Sequence, residues 1–112
     1  MSLDIWLEAD LDTGGRRLHC VRLFDANYTH NVIPMWQDAG CYEALYNSEG
    51  KTAGEVLPAL QAAILDMHRR PEHYRAMDSP NGWGVYARAL PWLGRFASAC
   101  KRHPKARIGV WK

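Results

Sequence analysis

Leu3, Ile5, Leu7, Ala9 and Leu11 alternate with Asp4, Trp6, Glu8, Asp10 and Asp12 at the start of the chain. Side chains along a strand point to opposite faces in turn, so this run reads as a half-buried strand with its odd positions inward. Thr13-Gly14-Gly15 is a turn signal, and a second strand is predicted from about Arg16 to Phe24. Leu18, Cys20 and Phe24 fall on one face of it by simple alternation, and Val21 and Leu23 on the other. The two strands should pair as an antiparallel hairpin. That hairpin restricts everything after it, because the helical patterns that follow need a sheet face to cover.

Those patterns are contiguous. Residues from about Asn31 to Tyr46 read as a helix broken near Gly40, with Thr29 or Asn31 as its cap and Pro34 confined to the first turn. Thr52-Ala53-Gly54-Glu55 is a capping box, in which Glu55 reaches back to the cap amide. It opens a helix from Ala53 to about Arg69, with Ala53, Val56, Leu57, Leu60, Ile64 and Met67 in one stripe. Pro58 is expected to kink this helix or delay its start. Pro71 opens a short helical turn, and Asp78 to Gly82 is a loop. A last long helix is predicted from about Gly82 to Arg102. Its main stripe is Trp83, Tyr86, Leu90, Leu93, Ala97 and Cys100, with Trp92 and Phe96 on a second side and a bend at Pro91. Ala106, Ile108 and Val110 alternate in a closing strand. The order strand, strand, three helical segments, strand predicts an α+β domain, ββαααβ, with the helices packed on one face of a small sheet.

With 112 residues the chain suits one globular domain with one core. A net charge of +2 gives no reason to expect a nucleic-acid partner. Three cysteines, Cys20, Cys41 and Cys100, are odd in number and read as reduced thiols in a cytoplasmic protein. No run looks like a signal peptide or a membrane span. Cys41 and Cys100 occupy core-like helical positions and should behave as small apolar residues.

Two short runs are equipped beyond what a core requires: Asn27-Tyr28-Thr29-His30-Asn31 and Asn81-Gly82-Trp83-Gly84-Val85-Tyr86. They combine side-chain amides, aromatic surfaces and glycines that leave backbone open to close approach. Asn81 is a good N-cap for the last helix, but Gly82 and Gly84 in its first turn would each cost about 1 kcal/mol relative to Ala, so something should compensate. One answer is a ring or backbone packed tightly there. The other is a ligand that meets the exposed amides and stacks on Trp83 or Tyr86. The residues expected to contact such a ligand are Asn27, Thr29, His30, Asn31, Asn81, Gly82, Trp83 and Tyr86. The two runs are expected to meet in space, with Trp83 or Tyr86 as a wall and His30 with Asn31 as a polar floor.

No metal, cofactor or catalytic residue is expected. His19 and Cys20 point to opposite strand faces, Pro71 separates His68 from His73, and Cys100 with His103 is only half a ligand set. His30 has no identifiable nucleophile or orienting carboxylate, so it reads as a capping or loop-bonding residue. The acids of strand one, Asp4, Glu8, Asp10 and Asp12, suit a solvated face that discourages edge pairing.

At these runs the chain resembles a family of small uncharacterised proteins found in phages and actinobacterial genomes. The matching segments are Asp25-Ala26-Asn27, Thr29-His30-Asn31, Ala39-Gly40-Cys41-Tyr42-Glu43-Ala44-Leu45 and Asn81-Gly82-Trp83-Gly84-Val85-Tyr86. Pro91-Trp92 departs from the pattern. The resemblance transfers no activity. It implies a context, a small phage-type protein that acts by binding host proteins or defence signals, in a host cytoplasm if phage-encoded. The residues themselves, Trp, Tyr, Asn and glycine amides together, suit a small polar, nucleotide-like ligand of a host pathway. The alternative is a protein–protein inhibitor or structural interaction protein with a Trp-rich surface. Trp6 and Trp111 fall on the outer sheet face, so a homodimer or larger homo-oligomer covering that face is expected.

Overall fold

A computed structural model describes residues 1–112. The chain is α+β, with three antiparallel strands in the order β2-β1-β3: β1 (Ser2–Leu11), β2 (His19–Thr29) and β3 (Arg107–Trp111). The alternation of β1 holds from Leu3 to Leu7 and fades toward the turn, where the sheet face is uncovered: Ala9 is half-buried and Leu11 is exposed. Leu3, Ile5 and Leu7 are buried, while Asp4, Trp6 and Glu8 face the other side.

β2 departs from the reading in two ways. It starts later and runs on to Thr29, which places Asp25, Asn27 and Thr29 on the strand itself. It also carries a bulge. Leu7 pairs with Phe24 but Glu8 pairs with Arg22, so Leu23 is left unpaired and the faces switch there. Cys20 and Phe24 therefore do not share a face. Cys20 lies outward and its thiol donates to Glu8 Oε2 at 3.1 Å, whereas Val21 joins Phe24, Ala26 and Tyr28 on the inner side.

Between the hairpin and β3 the chain is helical. Thr29 Oγ1 accepts from the Asn31 amide at 3.2 Å and caps a 3-10 turn (His30–Val32) that leads into α1 (Ile33–Ala39). Gly40, at φ 85°, ends α1 before α2 (Tyr42–Tyr46) begins. α3 (Ala53–Arg69) starts at its capping box, where the Thr52 amide donates to Glu55 Oε2 at 2.7 Å. Pro58 does not delay it. α4 (Pro71–Arg75) is one short turn, and α5 (Tyr86–Arg102) runs through Pro91.

α5 begins four residues later than its pattern suggests, because Gly82 (φ 77°) and Gly84 (φ 96°) take left-handed backbone that no helix uses. Trp83 therefore drops out of the helical stripe. Trp92 and Phe96, assigned to a second side, are buried. α5 is wedged between α3 and the sheet and needs apolar groups toward both: Phe96 meets Phe24 at 6.3 Å between ring centroids, and Trp92 stacks on Tyr28 at 5.5 Å. One core of 26 buried residues results, with Trp36, Tyr74 and Phe96 the largest of its fully buried side chains.

The outer sheet face is less apolar than expected. Trp6 lies across Gly109, where a Cβ would overlap the indole, and the Arg22 guanidinium sits 4.4 Å from the Trp6 ring. Arg107 bridges Glu8 and Asp10 on the same face. The large exposed apolar groups of the sheet and its hairpin are Trp111 and, toward the turn end, Leu11, Leu18 and Leu23. No helix is long and apolar enough to cross a membrane.

Candidate functional site

The end of β2 and the loop before α5 come together, as the two polar-aromatic runs suggest they should. Asn31 Nδ2 donates to the Trp83 carbonyl at 2.9 Å. Gly84 closes the contact from the other side. A Cβ on it would lie 2.9 Å from Val32 Cγ1, 3.0 Å from Thr29 Cγ2 and 3.2 Å from Asn31 Cβ. The positive φ and the close approach both require glycine here. Gly82 meets nothing within 4 Å, so only its backbone conformation matters.

Asn81 shapes the loop instead of capping a helix. Its Oδ1 accepts from the Trp83 amide at 2.9 Å and from Ser79 Oγ at 2.6 Å, which is an Asx turn. α5 is started elsewhere: the Tyr86 amide donates to Asp78 Oδ1 at 2.7 Å. The loop so formed holds the Trp83 ring out in solvent, 70% exposed. An indole held out by a tight turn has no packing role to explain it.

Above this contact lies an open cleft of about 820 Å³. Its lining takes in Ser2, Asn27, Tyr28, Thr29 and Asn31 from the sheet side and Asn81, Gly82, Trp83, Gly84 and Arg88 from the other. Six of the eight residues singled out in the sequence line it. His30 and Tyr86 do not. The His30 ring turns away, with Nδ1 2.7 Å from the Tyr46 hydroxyl. Tyr86 is buried and its hydroxyl donates to the Met67 carbonyl at 2.8 Å. The polar floor is therefore Asn31 without His30, and the wall is Trp83 without Tyr86. A 3-10 turn rotates successive side chains by about a third of a circle, which sends His30 and Asn31 to different sides.

Arg88 had no sequence signal, since one Arg near a helix start looks like any other. Folding brings it into the cleft lining with Tyr28, whose hydroxyl burial pushes up in pKa, the Val85 backbone and then the Arg88 charge partly offsetting the rise. The lining contains amides, hydroxyls, an indole and a guanidinium, and no carboxylate. Several polar atoms are uncommitted: Asn27 Nδ2 donates to Ser2 Oγ and Asp4 Oδ1, leaving its Oδ1 free, and Asn31 Oδ1 and Asn81 Nδ2 make no hydrogen bond. Such groups can stack on a planar ring, read its polar edge and pair with an anion.

Comparison with protein-family models, with curated proteins and with solved structures returned no match.

Proposed function

We propose that this chain is a small non-catalytic binding protein whose cleft takes a planar, anionic ligand of nucleotide type. The observation that carries the reading is the composition of the lining: an exposed indole, free amide groups and one arginine, with no acid among the lining residues and the neighbouring Asp4 carboxylate held by Asn27 Nδ2 at 2.8 Å. The volume suits a ligand of that size. Trp83 would stack on the base, the free groups of Asn27, Asn31 and Asn81 would meet its edge, and Arg88 would pair with phosphate. In the phage-type setting that the sequence motifs suggest, the role would be sequestration of a host nucleotide signal.

Calorimetric titration with a panel of mononucleotides and cyclic dinucleotides tests this. At least one should bind in the micromolar range, and Trp83→Ala should weaken it about 10- to 100-fold, the effect of losing one stacked base. If no nucleotide binds more tightly than millimolar, the reading fails.

A second reading, a protein-binding or self-association role, is favoured by Trp111, 73% exposed, and by the exposed Leu11, Leu18 and Leu23. A two-stranded ribbon is marginal in water without such cover. The partner would be a second copy or a host protein. Light scattering that gives a monomer at high micromolar concentration would remove the homo-oligomer.

A further inference from the structure

We propose that the cleft is one end of a track for single-stranded nucleic acid that continues along α5, an inference that rests on the nucleotide reading of the cleft. The modest net charge hides a strong asymmetry. From Ser79 to Lys112 there is no Asp or Glu and there are seven Lys or Arg, whereas all twelve acids lie before Ser79. Within α5, Arg88, Arg95 and Arg102 are seven apart and all exposed, so they lie on one face of the helix. None of the three has an ion-pair partner.

Helix electrostatics explains only part of this. Cations suit a helix C-terminus, which accounts for Arg102 and its neighbour Lys101. Arg88 lies in the first turn, where the same dipole disfavours a cation, and Arg95 lies mid-helix. An anion that touches all three supplies the missing reason. The positions also connect. Arg88 belongs to the cleft, and one turn further along the same face a groove of about 560 Å³ begins at Pro91 and takes in Phe24, Gly94, Arg95, Ser98 and Arg102. At about 1.5 Å rise per residue the arginines are about 10 Å apart and span about 21 Å, the reach of a few nucleotides.

Trp83 decides the class of polyanion. An exposed ring beside the first arginine offers a stacking surface, which a splayed base uses and which a duplex or an acidic peptide does not. The strand would place one base on Trp83 and run its phosphates past Arg88, Arg95 and Arg102.

Fluorescence anisotropy with labelled single-stranded DNA and RNA 12-mers, between 50 and 200 mM salt, tests the track. The 12-mers should bind at least 10-fold more tightly than a mononucleotide. The log–log salt slope should be near −2, from about −0.7 for each of three phosphate contacts. Arg95→Ala and Arg102→Ala, both at exposed positions, should each reduce that slope by about 0.7. Trp83→Ala should weaken binding at least 10-fold and leave the slope unchanged. Circular dichroism checks that each variant is folded. The track is refuted if 12-mers bind no more tightly than a mononucleotide, or if Arg95→Ala and Arg102→Ala leave the slope intact. It is equally refuted if a duplex or polyglutamate competes as well as the single strand. Mononucleotide binding without a gain with length refutes the track and leaves the cleft reading standing. A 12-mer bound without any contribution from Trp83 refutes both.

Discussion

Gly84→Ala perturbs the contact that holds the two halves of the site together. Two costs add. Left-handed backbone at φ 96° costs a residue with a Cβ about 1–2 kcal/mol. The new methyl would also press on Val32 Cγ1 and Thr29 Cγ2 at 2.9 and 3.0 Å. Both belong to β-branched side chains with little rotational freedom, and Val32 is fully buried, so neither moves aside easily. Overpacking of that kind costs about 1–3 kcal/mol, giving about 2–5 kcal/mol in total. Gly82→Ala is the matched control. It has a positive φ of 77° and nothing within 4 Å, so about 1–2 kcal/mol is expected. Urea unfolding measures the difference: with a slope of about 2 kcal/mol per molar, the Gly84→Ala midpoint should fall by about 1–2.5 M and the Gly82→Ala midpoint by less than about 1 M. Equal shifts for the two variants would refute the close packing of Gly84 against the end of β2.

Four further outcomes are expected. Asn31→Ala should weaken ligand binding, because it frees the Trp83 carbonyl and loosens the loop, whereas His30→Gln should leave binding within about 2-fold; isothermal titration compares them. Asp66 is held down at about 2, by the Arg70 guanidinium first and the Tyr74 hydroxyl next. Its pKa is depressed in the fold, so its contribution is complete above about pH 4, the unfolded carboxylate range, and is lost as pH falls toward 2. Asp66→Asn should flatten that part of the acid limb in urea midpoints measured from pH 2 to 5. Burial pushes the Cys41 and Cys100 thiols up to about 12, while Cys20 is exposed, so a disulfide reagent at pH 8 should count one thiol in the native protein and three in urea. Gly109→Ala should cost about 1–3 kcal/mol and red-shift tryptophan emission, since the new Cβ drives the Trp6 indole off the sheet; unchanged emission would refute that packing.

The fold was legible where one periodic signal acts alone. β1 needed only its alternation, and α3 only its capping box and stripe: the strand begins within one residue of the pattern, and the helix begins at the capping box with Pro58 inside it. Legibility failed where one residue changes the phase of the pattern. The unpaired Leu23 switches the faces of β2, and nothing in Val21-Arg22-Leu23-Phe24 marks which residue will be left out. At Asn81-Gly82-Trp83-Gly84 the asparagine satisfies a helix cap and an Asx turn equally well, and only the left-handed glycines decide for the turn. The site was legible as two runs but not as a surface. His30 and Asn31 are neighbours that a 3-10 turn separates, and Arg88 reaches the cleft from α5, outside either run. The basic face of α5 was diluted in the whole-chain charge by acids placed on other elements.

The central claim is that the cleft between the end of β2 and the Asn81–Gly84 loop binds a planar anionic ligand. The most direct measurement is a titration of isotope-labelled protein with nucleotides, followed in amide and indole proton–nitrogen spectra. The Trp83 indole, the side-chain amides of Asn31 and Asn81 and the Gly82 and Gly84 backbone amides should shift together and saturate. The fully buried Trp36 indole should stay in place. Saturable shifts confined to Trp111 and the Leu11–Leu23 end of the hairpin, or no saturable shift at all, would contradict the claim.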